Sequence, residues 1–141
     1  MRYAKLCLLL LLFPLVSGCV AHKSKKQRAQ IILPPGTLTI AEISDQFVGK
    51  TVESETGSGR ATLTYYDPDG SLRQLQYGEK RNGTWRIRDD ARICLKIEDG
   101  DEKCRIIVND RGVYKKYIVK KNNRHQHVIT YHSFRPGNLV D

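Results

Sequence analysis

The sequence has no apolar run long enough to cross a membrane as a helix. Its longest, residues 6–16, has 11 residues and contains Pro14, whereas a spanning helix needs about 20 apolar residues. Enzyme signatures are missing as well, since there is no G-x-S-x-G, P-loop, H-E-x-x-H or G-x-G-x-x-G motif. The nearest approach, Thr56-Gly57-Ser58-Gly59, has its glycines directly beside the serine. These absences favour a non-enzymatic protein that uses no cofactor.

What the chain does contain is typical of one globular domain. Of its 141 residues, 40% are hydrophobic and 28% are charged. It has 24 Lys and Arg against 15 Asp and Glu, which gives a formal net charge of +9. This length and composition are expected neither for a disordered chain nor for a membrane protein with many spans.

The first twenty residues have the organisation of a secretory leader. Arg2 and Lys5 precede the apolar run, and Val16-Ser17-Gly18-Cys19 closes it. This ending resembles the lipobox of bacterial lipoproteins. The resemblance implies that residues 1–18 are a signal peptide, cleaved before Cys19, and that the Cys19 thiol carries a diacylglyceryl group.

The same resemblance predicts the location of the protein. Two or more acyl chains give stable membrane anchoring where one chain is marginal. Val20 follows the modified cysteine, where enterobacterial lipoproteins retained at the inner membrane usually have Asp. We therefore expect a lipid-anchored protein of the bacterial cell envelope, at the outer membrane rather than the inner one.

A basic tether is predicted between the lipid and the folded domain. Residues 20–35 contain four basic residues and no acidic one, and residues 20–30 lack helical or strand periodicity. Pro34-Pro35-Gly36 marks the boundary. The sequence thus predicts a tether over residues 19–36, a domain over 37–136 and a tail over 137–141.

The domain opens with a strong helix signal. Thr39 and Glu42 form a capping box, and Leu38 with Ile43 can form a hydrophobic staple. Ile40, Ile43 and Phe47 share one face, and Gly49 suits the position after the helix. The pattern predicts a short helix over residues 40–48, which must pack on the rest of the domain to be stable.

After this helix the sequence changes to short strands separated by turns. Asp67-Pro68-Asp69-Gly70, Asn82-Gly83, Asp99-Gly100 and Asp110-Arg111-Gly112 are the strongest turn signals. The predicted strands lie near residues 50–54, 60–66, 72–77, 84–88, 91–97, 103–109, 113–119 and 126–132. Turns at this spacing favour a mainly β fold, an antiparallel meander that forms either a small up-and-down barrel or a strongly curved open sheet. We expect Trp85 to anchor its core.

Two cysteines remain for the folded domain, because Cys7 leaves with the leader and Cys19 carries lipid. In an oxidising compartment the default for Cys94 and Cys104 is a disulfide. A metal role is a poor alternative, since structural zinc sites use four ligands in closely spaced pairs.

The register around these cysteines is open. A three-residue loop at 98–100 places Cys94 opposite Cys104, whereas a two-residue loop pairs Ile93 with Ile106 and misaligns the cysteines. A β-bulge would reconcile the two. We favour the cysteine pairing, because a free thiol is short-lived in this compartment.

Two groups near the C-terminus are candidate sites. His125 and His127 lie two apart on one strand face, and His132 follows, but no acidic residue lies between Asp110 and Asp141 to complete a metal or catalytic site. We therefore expect a solvated face rather than a metal site. The second group is a basic strip with interleaved tyrosines, a candidate polyanion-binding surface made by Lys115, Lys116, Lys120, Lys121 and Arg124.

Residues 38–136 resemble a family of small, uncharacterised envelope domains of bacteria. The resemblance is carried by I-A-E-I-S-D-Q-F-V-G-K-T-V from Ile40, by Tyr65 to Gly70, by Gly83 to Ile87, and by the two cysteines. It implies a helix followed by a β-meander, and it implies no activity or catalytic residues.

The sequence therefore predicts a binding or structural role at the envelope. The alternative is a calycin-like barrel that carries a small apolar ligand. An inhibitor or partner of an envelope enzyme ranks lower. Lipoprotein inhibitors of lysozyme have to complement a strongly basic enzyme, and this domain is itself basic, so charges of the same sign would oppose the encounter. The expected partners are the membrane, through the lipid anchor, and an anionic envelope component or protein, rather than nucleic acid.

Overall fold

The computed structural model describes residues 31–141. One helix, α1 (Ile40–Phe47), precedes eight strands, and a 3-10 turn (Lys121–Asn123) lies between the last two strands. The strands are β1 (Lys50–Thr56), β2 (Ala61–Tyr66), β3 (Ser71–Gln76), β4 (Glu79–Ile87), β5 (Ile93–Ile97), β6 (Lys103–Asp110), β7 (Val113–Val119) and β8 (His125–Pro136). Consecutive strands pair antiparallel, and β8 also pairs with β1. The mainly β meander with a leading helix is confirmed, and its sheet closes into a barrel.

Helix α1 forms as its capping residues predict. The Thr39 hydroxyl accepts a hydrogen bond from the Glu42 amide, and the Glu42 carboxylate accepts one from the Thr39 amide at 2.8 Å. Ile43 and Phe47 are fully buried. Ile40, at the start of the helix, is 45% exposed. Leu38, whose amide donates to a backbone carbonyl of β6, is buried in its place.

Aromatic side chains fill the barrel at the helix end. The Phe47 ring meets the rings of Tyr66, Tyr131 and Phe134 edge to face, with centroids 5.1 to 5.3 Å apart. Tyr66 in turn meets Trp85 edge to face at 5.2 Å. The Trp85 indole N–H donates to the Asp67 carbonyl at 2.8 Å, so its polar atom is satisfied. The expectation that Trp85 anchors the core is confirmed.

The predicted turn at Asn82-Gly83 is wrong, because both residues lie inside β4. The hairpin turn is at Tyr77-Gly78, where both residues have positive φ. Gly83 instead permits a close backbone approach. A Cβ at this position would lie 2.1 Å from the Lys96 carbonyl oxygen of β5. Gly83 is therefore required here by packing between strands, and not by a turn.

The disulfide between Cys94 and Cys104 forms, and the two cysteines face each other in the ladder. The favoured register is confirmed. The three-residue loop is wrong, because five residues, 98–102, separate β5 from β6. The Glu98 amide donates to the Asn82 carbonyl at 2.8 Å, so the chain stays beside β4 after β5 ends.

The chain ahead of the helix runs along the outer wall of the barrel. The Ile32 amide donates to the Asn123 side chain in the β7–β8 connection at 3.3 Å. Further on, the Asn109 amide donates to the Gly36 carbonyl at 2.8 Å. Segment 32–38 therefore runs from the β7–β8 connection to the helix end of the barrel. There Thr37 pairs with Val108, in the part of β6 that β5 is too short to reach.

The tail over residues 137–141 is docked on β1. The Thr51 hydroxyl donates to the Gly137 carbonyl at 2.7 Å and accepts a hydrogen bond from the Leu139 amide at 2.9 Å. Thr51 is fully buried beneath it.

Replacing Gly83 should test the close contact between β4 and β5. Gly83→Ala should lower the free energy of unfolding by at least about 2 kcal/mol, because the new methyl group meets backbone that has to move. Gly57→Ala is the control, since no atom lies within 4 Å of its Cβ position and its φ is not positive. Urea unfolding of both variants measures the difference; equal losses would contradict the assignment.

Candidate functional site

The interior of the barrel differs between its two ends. The helix end is filled by the aromatic cluster. The opposite end, here called the barrel mouth, is formed by the connections at residues 57–60, 77–78, 98–102 and 120–124. Every second side chain along a strand faces the interior of the barrel. Each strand therefore has inward residues near the helix end and others near the mouth. The inward residues near the mouth are mainly polar or aliphatic.

A cavity of about 350 Å³ lies inside the barrel mouth. Its apolar walls come from β5, β7 and β8, and they consist of Leu95, Ile97, Ile118, Val128 and Ile129. Three basic side chains also line it, namely Lys103, Arg105 and Lys116. Apolar walls with a few convergent polar groups are the usual composition of a small-molecule site, whose volume is roughly 300–1,000 Å³. This cavity is at the small end of that range.

Lys116 is buried in the interior of the barrel. It lies on β7 between Tyr114 and Ile118, which also face inward, and only 6% of it is exposed. Its ammonium group lies 5.5 Å from the ring centroid of Tyr131, a cation–π contact. Burial, together with the nearby charge of Arg105, lowers the pKa of Lys116 to about 7. This lysine therefore changes charge near neutral pH.

Arg105 adds a second cation to the same cavity. Its guanidinium donates to the Cys104 carbonyl at 2.8 Å. Burial lowers the pKa of Arg105, and the charge of Arg92 lowers it further. Among the cavity-lining residues the one acid is Asp101, which is exposed in the β5–β6 connection. Within residues 31–141, neither Arg105 nor Lys116 makes a salt bridge.

Strands β2 to β4 form a polar wall in the mouth. The Arg81 guanidinium donates to the side-chain oxygens of Gln74 and Gln76. The amide groups of these glutamines donate to the hydroxyls of Thr64 and Thr62. The Arg81 Nε atom is buried and has no hydrogen-bond partner among the described residues. Polar groups on this wall thus hold one another in place.

The predicted basic strip is not one surface. Lys115 faces outward and bonds the Asp110 carboxylate at 2.8 Å, whereas Lys116 faces into the barrel. Lys120, Lys121 and Arg124 lie together in the β7–β8 connection at the mouth. A charged residue in a strand ordinarily indicates an outward face, so sequence reasoning placed Lys116 on a surface strip and missed its interior position. The alternation of Tyr114 and Ile118 around it was the available signal.

The histidines do not come together as a site. His127 bonds the Thr130 hydroxyl at 3.1 Å and lies against Tyr117. His132, by contrast, lies 3.4 Å from the Glu55 carboxylate. The one cluster with metal-ligand atoms among the described residues is Cys94, Glu102 and Cys104. Its two sulfur atoms are bonded to each other, so this cluster is not a metal site.

Several predictions concern residues outside the described range. The signal peptide at 1–18, Cys19 and the first part of the tether lie there and stay predictions. Among residues 31–141 no helix is long and apolar enough to cross a membrane. In the comparisons with known proteins, no family profile, no curated protein and no solved structure matches this chain.

The buried lysine should make stability depend on pH. Between pH about 7 and about 10, Lys116 is neutral when folded and protonated when unfolded. The free energy of unfolding should therefore rise by up to about 1.4 kcal/mol per pH unit over this window. Above it the sign reverses, because burial raises the pKa of Tyr66 and of Tyr131 and these phenols ionise only on unfolding.

Denaturant titrations across this pH range, on the wild type and on Lys116→Met, measure this effect. The variant keeps the side-chain volume without the charge, so its stability should lack the rise and exceed that of the wild type near pH about 7. Lys115→Met, on the outer face of the same strand, should retain the rise. A rise that persists in Lys116→Met would rule out this lysine as its source.

Proposed function

We propose that this protein is a non-enzymatic, lipid-anchored component of a bacterial cell envelope whose barrel mouth holds a small molecule with an apolar body. Support for the location comes from the leader, which ends in Val16-Ser17-Gly18-Cys19. The disulfide agrees with an oxidising compartment. Val20 supports the outer membrane as the site of anchoring.

The cavity is the observation that carries the binding role. A barrel of eight strands has room either for packed side chains or for one small ligand. In this barrel the two solutions coexist, since the aromatic cluster fills the helix end and the cavity occupies the mouth. A structural role alone requires no such cavity. Each methylene that a ligand buries there contributes roughly 0.8 kcal/mol.

Filling the cavity should abolish binding. Calorimetric titration with decanol, decanoate and decyltrimethylammonium tests ligands with the same chain and different head groups. We expect at least one of them to bind the wild type, and Ile118→Trp to remove that binding because the indole occupies the cavity. Val113→Trp is the matched control, on the same strand at a position that is 43% exposed. If none of the three binds the wild type, the proposed binding role fails.

The lipid anchor requires a separate test in the native organism. The intact mass of the membrane-fraction protein should show acyl groups on the wild type and none on Cys19→Ser, since the acyl chains depend on this thiol. The variant should also move to the soluble envelope fraction, because no chain remains to hold it. The same acyl content in both proteins would end the anchoring proposal without affecting the binding role.

A further inference from the structure

Among residues 31–141, no acidic side chain lines the cavity at the depth of its positive charge. Lys116 and Arg105 face the interior, and Arg81 lies on the facing polar wall. Asp101 is exposed in a loop at the rim. A buried cation without an acidic partner is unfavourable unless another group compensates it. The face of Tyr131 compensates Lys116 only in part, because an aromatic ring carries no net charge.

The position of Lys116 along the barrel gives the cavity a direction. Lys116 pairs with Ile107 of β6 and with Ile129 of β8. Ile107 belongs to the packed core, whereas Ile129 and the next inward residue of β7, Ile118, line the cavity. The ammonium group therefore lies where the core ends and the cavity begins, with the apolar walls on its mouth side.

We propose that the ligand of the barrel mouth is an amphipathic anion, a medium-chain carboxylate or its chemical equivalent. Its charged head would lie at the inner end of the cavity, beside Lys116 and Arg105, and its apolar chain would lie against Ile118 and Ile129. This inference rests on the proposed binding function and adds the chemical class of the ligand. It gives the buried lysine the negative partner that residues 31–141 do not supply.

The lining also argues against other ligand classes. A cationic ligand would meet Lys116 and Arg105 with charge of the same sign. A neutral apolar molecule would leave the ammonium group uncompensated. A large polyanion would not fit a cavity of about 350 Å³, and its remaining charges would face aliphatic walls. One negative charge on an apolar body matches both the volume and the lining.

Binding of such an anion should be linked to protonation. The lowered pKa of Lys116 means that the lysine is mostly neutral at pH about 8, and a bound carboxylate would raise this pKa again. Arg105 and Lys103 on β6 and Asp101 in the β5–β6 connection line the cavity with it. Tyr131 on β8 lies against it, Tyr66 on β2 interacts with Tyr131, and Arg81 lies on the polar wall of β2 to β4. Burial keeps both phenols protonated at this pH.

Calorimetry with decanoate, decanol and decyltrimethylammonium tests the class of ligand. Near pH about 6, we expect decanoate to bind the wild type at least about tenfold more tightly than decanol, as a charge-assisted contact provides. Decyltrimethylammonium should bind more weakly than either. Lys116→Met should remove the preference, so that its affinities for decanoate and decanol lie within about threefold of each other. Lys115→Met, the outward neighbour, should keep the preference.

A second readout separates a charge partner from a merely structural lysine. At pH about 8, decanoate binding should take up close to one proton, seen as a dependence of the binding enthalpy on buffer. This uptake should vanish in Lys116→Met. Equal binding of decanol and decanoate, both blocked in Ile118→Trp, would overturn the anion and leave the binding function standing. A decanoate preference that survives in Lys116→Met would overturn the assignment of the head-group position.

Discussion

Closure of the sheet between β1 and β8 is the constraint on which the other features depend. Pairing along this seam removes the exposed edges that an open sheet would have. It also fixes which side chains face inward on every strand, because a shift of one residue would exchange the two faces. Closure therefore determines which residues of β7 face the interior, and Lys116 is buried next to Ile118 for this reason.

The helix makes this barrel asymmetric. Phe47 enters one end and brings three aromatic rings around it, so the packing there is dense. The mouth has no equivalent plug among residues 31–141. Its polar wall, in which Arg81 and two glutamines hold one another, keeps that end ordered without filling it. The same barrel thus has a densely packed helix end and an open cavity at its mouth.

Local signals in the sequence predict most of the fold. The capping box at Thr39 and Glu42 locates α1, and turn residues such as Asp67 to Gly70 locate hairpins. Non-local packing explains the failures. Asn82-Gly83 has the composition of a turn, but a neighbouring carbonyl requires the missing Cβ. Lys116 has the chemistry of a surface residue, and only barrel closure shows that its position is internal. The site was therefore harder to predict than the elements that build it.

The segment along the outer wall has a geometric consequence for attachment. Ile32 contacts the β7–β8 connection at the mouth, and the chain then runs along the barrel to the helix end, where α1 begins. A pull on the chain at residue 32 therefore acts on the open rim of the barrel and not on the end that the helix closes.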